Sequence, residues 1–182
     1  MNENPPGKDS FKQNITNDYL FLILLYLNTI KLMTKEQLKL ENQLCFPIYA
    51  VSRLITREYQ PYLEKLGVTY PQYLVLLVLW ESGSLTVNEI SQKLILNTNT
   101  ITPLLKRMEN MKLLVRRRSN EDERKVIVKL TEKGKLLQEE AVEIPKQLGS
   151  RLISDAISKE DLLELKSTLN QMINFLATDN QE

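Results

Sequence analysis

Cys45 is the only thiol in the 182-residue chain, and the chain has no histidine. One thiol cannot close an intramolecular disulfide, and one cysteine without histidine cannot assemble a zinc site. Nor can it supply the Ser/His or Cys/His couple of a nucleophilic enzyme. The chemistry left to Cys45 is oxidation or modification, with some other part of the chain responding to the change. A lone cysteine beside an apolar helix stripe is more often an inert core residue, so its surroundings must decide. The absence of a pairing framework suits a reducing, cytoplasmic setting. With five glycines, no glycine-rich phosphate loop and no metal cluster, no cofactor and no metal are expected.

A second chemical feature is the distribution of charge. Formal net charge is only +1. From Lys106 to Lys129, however, nine basic residues stand against four acidic ones, so the rest of the chain is net acidic. The basic set is Lys106, Arg107, Lys112, Arg116, Arg117, Arg118, Arg124, Lys125 and Lys129. A concentration of this kind is the usual electrostatic footprint for phosphate, although a solvated charged face has the same composition. The flanking elements separate the two.

Those elements read as mostly helical. Leu44, Ile48, Val51, Ile55, Tyr59 and Tyr62 recur at steps of four and three, a single stripe on a helix from about Lys39 to Leu66. Pro47 predicts a kink or a late start at the cysteine, and Gly67 ends the helix. Thr69-Tyr70-Pro71-Gln72 is a capping box opening an all-apolar, buried segment, Tyr73 to Trp80. Ser82-Gly83-Ser84 stops it. A second box, Thr86 to Glu89, opens a short helix to Leu94; after the turn Ile95-Leu96-Asn97 a further helix covers about Thr98 to Met111. Two short helices across a tight turn make a helix-turn-helix candidate. The period then changes to two strands, 113–118 and 125–130, joined by the polar loop 119–124: a wing. Thr131 caps a long helix to about Asp155, bent at Pro145. Ser158 caps the last helix, whose Leu162, Leu165, Leu169, Met172 and Leu176 form another stripe.

The chain preceding this pattern reads differently. Residues 1–18 are polar, contain Pro5-Pro6-Gly7 and are expected to be disordered. The apolar run Tyr19–Leu27 is far short of the ~20 residues that span a bilayer, and no small-x-small cleavage site follows it. Residues 1–32 are therefore expected to be a disordered or artefactual extension, with Met33 as an alternative start and 33–182 as the domain. No membrane partner is expected.

Four strings in this order resemble one family: Leu-Glu-Asn-Gln-Leu-Cys-Phe (40–46), Leu-Gly-Val-Thr-Tyr-Pro-Gln-Tyr-Leu-Val-Leu-Leu-Val-Leu-Trp-Glu (66–81), Ile-Thr-Pro-Leu-Leu-Lys-Arg-Met-Glu (101–109) and Asp-Glu-Arg (122–124). They resemble the MarR regulators, and among these the one-cysteine organic hydroperoxide sensor-repressor (OhrR) branch, over about Lys39 to Leu176. The resemblance implies a winged helix-turn-helix with a DNA-binding core at about 69–131 and dimerisation helices at about 39–66 and 132–177. It also implies that Cys45 is the peroxide sensor. Two tyrosines of the partner subunit, by motif Tyr59 and Tyr70, hydrogen-bond the sulfur, with Tyr49 as a third site tyrosine. Phenolic donors favour a thiolate, which attacks a peroxide and becomes a sulfenic acid. With no second cysteine, the next step needs an external low-molecular-weight thiol or further oxidation. Tyr59 and Tyr62 also fit as plain core aromatics.

For DNA, the resemblance places the helix 98–111 in the major groove, with Thr98, Asn99, Thr100 and Thr102 near base edges or phosphates and Lys106 and Arg107 following. Arg107 fits equally as a structural ion-pair partner. In the wing, Arg124 would enter the minor groove, held by Asp122. Arg116, Arg117 and Arg118 would supply phosphate contacts. The family usually has Asp-Ser-Gly-Thr where this chain has Asn97-Thr98-Asn99-Thr100; asparagine still caps, but a side chain replaces the glycine. The expectation is a homodimeric repressor, not an enzyme, that leaves a pseudo-palindromic double-stranded operator when organic hydroperoxide oxidises Cys45. Dimerisation follows from two apolar stripes that no intrachain partner is large enough to bury. A regulator answering to broader oxidants or to an aromatic ligand is the alternative within the class. A thiol peroxidase is the alternative outside it, disfavoured because nothing recycles the sulfenic acid.

Overall fold

The computed structural model describes residues 22–29, 31 and 35–178. The expected disordered stretch 1–18 and Met33 lie outside the described residues. The chain divides into two units, 1–54 and 55–182.

In the first unit, residues 22–29 are helical rather than irregular. Leucine, isoleucine and tyrosine in unbroken succession, without glycine or proline, carry helix propensity whatever their tertiary fate. A 3-10 turn, Leu40–Asn42, precedes helix α1, Cys45–Leu66, which runs on into the second unit. The late start expected from Pro47 is what occurs. Cys45 is the first helical residue, so Pro47 falls in the first turn, where no intrahelical partner is needed for the missing N–H. Pro61, by contrast, lies inside α1 and costs it one hydrogen bond, which the sequence reading passed over.

The second unit is a winged helix-turn-helix. Helix α2, Tyr70–Ser82, opens on its capping box, with the Thr69 amide donating to Gln72 Oε1 at 2.8 Å. Tyr73, Val75, Leu76 and Leu79 are fully buried around it. Gly83, at φ +73°, turns the chain into β1, Ser84–Thr86. This strand was not expected from the sequence, because three residues carry no readable alternation and its pairing partner lies forty residues on. Helix α3, Val87–Lys93, follows on its own capping box, and α4, Thr98–Asn110, on the Asn97 cap. Strands β2, Leu114–Arg118, and β3, Val126–Leu130, make the hairpin, and the antiparallel sheet has the order β1-β3-β2. Val128 pairs with both Leu85 and Arg116 in the central strand.

The long helix expected from Thr131 to Asp155 is instead two: α5, Glu132–Ala141, and α6, Ile144–Leu152. Pro145 occupies the first turn of α6, so it starts a helix rather than bending one. Helix α7, Lys159–Thr178, is capped by Ser158, whose hydroxyl accepts the Asp161 amide at 3.1 Å.

Gly134 joins these parts. A Cβ there would lie 2.0 Å from the Leu113 carbonyl oxygen, so α5 approaches the start of the wing by backbone contact. The Gly134 carbonyl accepts the Trp80 indole N–H at 2.9 Å, and Thr131 Oγ1 donates to the Lys112 carbonyl at 2.6 Å. Among the described residues no helix is long and apolar enough to cross a membrane.

Candidate redox thiol and nucleic-acid interface

Cys45 is exposed at the first position of α1. Tyr49, one turn on, is 59% exposed, and the Arg53 guanidinium sits 5.8 Å from its ring centroid. That is cation–π distance, and it stiffens the tyrosine next to the thiol.

Tyr59 and Tyr70 stand together in the second unit, with ring centroids 5.1 Å apart. Tyr73 joins the cluster unannounced by the sequence: its ring lies 5.8 Å from that of Tyr59 and 6.1 Å from Trp80. Its position in the all-apolar run made it look like core and nothing more. Glu58, beside Tyr59, is ion-paired to Arg151 of α6 at 2.8 Å. Burial, reinforced by Tyr70 and Tyr73, pushes the Tyr59 phenol up to about 12. Burial likewise raises Tyr70, and burial and then Tyr70 raise Tyr73. All three phenols are therefore protonated hydrogen-bond donors across the physiological range.

This predicts an alkaline weakness. A folded-state pKa above the ordinary 10.0 favours the neutral phenol in the fold. The stabilisation is complete below pH 10 and is lost as pH rises through about 12. Tyrosinate absorbance should show a late-ionising phenol, and Tyr59→Phe should remove that late step. A titration identical in the variant would contradict the buried cluster.

On α4, Ile101, Leu104, Leu105 and Met108 face the core, which leaves Thr98, Asn99, Thr100, Lys106 and Arg107 exposed and Thr102 half-buried. Asn97 Oδ1 accepts both the amide and the hydroxyl of Thr100 at 2.9 Å. The structural ion pair considered for Arg107 belongs to Arg116 instead. Arg116 reaches back from β2 to Glu109, with Nη2 and Nε at 2.8 and 3.0 Å from Oε2, and its amide donates to Oε1 at 3.0 Å. Hydrogen bonding from Arg116 holds the Glu109 carboxyl below the usual carboxylate range. The Arg116 guanidinium, expected at phosphate, instead spends two of its N–H groups on Glu109, a charge-assisted tie between α4 and the wing. Arg117 and Arg118 remain exposed.

In the wing loop, Asp122 does not grip the Arg124 side chain. Its carboxylate accepts the Arg124 backbone amide at 3.0 Å and lies 3.9 Å from Lys125 Nζ, while Ser119 Oγ accepts the Asp122 amide at 3.4 Å. The aspartate shapes the turn that carries Arg124, and the exposed guanidinium is left to reach outward.

The pattern of the transcriptional regulators SarA/Rot matches residues 57–141. The organic hydroperoxide resistance transcriptional regulator of Bacillus subtilis is 51% identical over 145 residues, 80% of this chain and 97% of its own length. The chain belongs to the MarR-type organic hydroperoxide regulator family. Among solved structures, reduced AbfR bound to DNA, a protein of Staphylococcus epidermidis, is 43% identical with a TM-score of 0.60, covering 77% of this chain and 99% of AbfR. Overoxidised AbfR bound to DNA superposes equally, at 42% identity and TM-score 0.60 over the same shares. The architecture of this MarR-type chain is accordingly that of its relatives: a mostly helical winged helix with a three-stranded antiparallel sheet.

Proposed function

We propose that this chain is a homodimeric, cytoplasmic repressor that holds a pseudo-palindromic DNA operator and releases it when organic hydroperoxide oxidises Cys45. The observation that carries the reading is the lone exposed thiol at the head of α1, in a chain 51% identical to an organic hydroperoxide resistance regulator. The DNA-binding core is about 69–131, and the helices 39–66 and 132–177 dimerise. Exposed apolar side chains support that division: Ile48, Val51 and Leu54 on α1, and Leu165, Ile173, Phe175 and Leu176 on α7, all stand at least 41% exposed in one chain. Such surface is normally covered by a partner.

Dimerisation also completes the sensor. In this reading Tyr49 stands one turn from Cys45 on α1, and Tyr59 and Tyr70 of the partner subunit supply the further phenols to the sulfur. The thiolate attacks one peroxide oxygen; the S–O bond forms, the O–O bond breaks, and the alkoxide leaves and takes a proton as the alcohol. Sulfur is oxidised by two electrons to sulfenic acid. An external low-molecular-weight thiol then condenses with it, releasing water and leaving a mixed disulfide. AbfR in its overoxidised form is found on DNA, which favours the mixed disulfide over further oxidation as the releasing species. Its bulk at the dimer arms alters the spacing of the two reading helices.

Operator binding of the reduced protein, before and after one equivalent of organic hydroperoxide with a small thiol, tests this. Loss of binding that a dithiol reductant restores is the expected result, and binding that survives treatment overturns the proposal. Consumption of many peroxide equivalents per thiol would support a peroxidase instead. In the same assay Arg124→Ala should weaken operator affinity roughly tenfold to hundredfold while sedimentation shows an intact dimer. Unchanged affinity would remove Arg124 from the interface.

A further inference from the structure

We infer that Asn99 reads an adenine in the major groove of each operator half-site, an assignment that rests on the operator reading above. The outward face of α4 repeats at helical spacing as Asn99, Thr102 and Lys106, opposite the buried Ile101, Leu104, Leu105 and Met108. Two hydroxyls on this helix have already spent their protons. Thr102 Oγ1 donates to the Thr98 carbonyl at 2.6 Å, and Thr100 Oγ1 donates to Asn97 Oδ1 at 2.9 Å. Toward DNA they offer lone pairs and methyl groups, not donors. Asn97 has its own oxygen occupied by Thr100. Asn99 is different: it is exposed, and among the described residues its side-chain amide has no partner, so donor and acceptor are both available.

An adjacent donor and acceptor match adenine, which presents N6–H as donor beside N7 as acceptor. Guanine presents N7 and O6, two acceptors, and would oppose the amide oxygen with O6. The acceptor-only Thr102, next on the same face, is mismatched to guanine for the same reason and suited to adenine N6, cytosine N4 or the thymine methyl. The committed protons of Thr100 and Thr102 therefore leave Asn99 as the side chain of this group that can make the bidentate contact with adenine.

The test uses the full-length protein and the duplex that wild type selects from a random pool, with every base pair of the half-site then changed in turn. At one symmetry-related pair of positions wild type should prefer adenine over guanine by about 5- to 150-fold. Asn99→Ala should level that preference to within about twofold while leaving the other positions and the affinity for unrelated duplex unchanged. A variant with the wild-type base profile overturns the assignment, as does one weakened equally on all duplexes, which would make Asn99 a phosphate contact. A wild type that selects no sequence overturns the operator reading itself, and this assignment with it.

Discussion

Cys45→Ser is expected to bind the operator as wild type does when both are reduced, and to stay bound after organic hydroperoxide that releases wild type. Serine keeps the volume and the weak polarity of the first residue of α1, so helix start and dimer packing are preserved. Its hydroxyl offers no nucleophile that a peroxide can oxidise. The response should fall from a wild-type shift of about 5- to 150-fold in affinity, the usual range of a coupled equilibrium, to none. The contrast is sharp because the chain has no other cysteine and no histidine. Any release by the serine variant would have to act through another residue, and would sink the thiol mechanism. Intact mass after treatment separates the products: a mixed disulfide adds the mass of the small thiol, further oxidation adds only oxygen. Release that coincides with oxygen addition alone would replace the mixed disulfide by overoxidation as the signal.

Much of this architecture is legible in the residues because its signals are local. The boxes Thr69 to Gln72 and Thr86 to Glu89, and the Asn97 cap, each close within one turn, and all three appear where the pattern places them. The alternation in 113–118 and 125–130 likewise sets the hairpin to within a residue. What escapes is decided at a distance or by competing uses of one residue. Strand β1 exists because Leu85 meets Val128 across the sheet, and nothing within three residues announces it. Pro145 is compatible with a kink and with a helix start; only packing chooses the start, breaking one expected helix into α5 and α6.

The sites divide in the same way. Residue type singles out Cys45, the one thiol, and local charge excess marks the basic stretch, whereas the site tyrosines follow from the family resemblance. Pairing is not readable from type. Arg107 and Arg116 are equivalent by composition, yet only Arg116, entering from β2, reaches Glu109 one helix away. Tyr73 reads as core and is core, while also touching Tyr59 and raising its pKa. Asp122 belongs to the Arg124 loop as expected, but through the backbone amide rather than the guanidinium. A three-residue turn leaves the main chain closer than the end of a long side chain.

Gly134→Ala should destabilise this fold strongly. The added Cβ would sit 2.0 Å from the Leu113 carbonyl oxygen and 3.1 Å from Leu130 Cδ2. The first of these contacts is with backbone, so no rotamer change relieves it; α5 must move away from the wing. Overpacking costs about 1–3 kcal/mol, and a clash with backbone belongs at the upper end, roughly 6–12 °C in Tm for a chain of this size. Displacement would also pull the Gly134 carbonyl from the Trp80 indole and the Thr131 hydroxyl from the Lys112 carbonyl. These bonds hold α2, the end of α4 and the start of α5 together, and in the proposed mechanism that body links the dimerisation helices to the reading helix. The expected outcome has two parts: a lowered thermal midpoint, and, below that midpoint, operator binding that responds less to oxidation. Thermal unfolding with a wild-type midpoint would show that α5 can shift freely, and the rigid joint would then have no part in the switch.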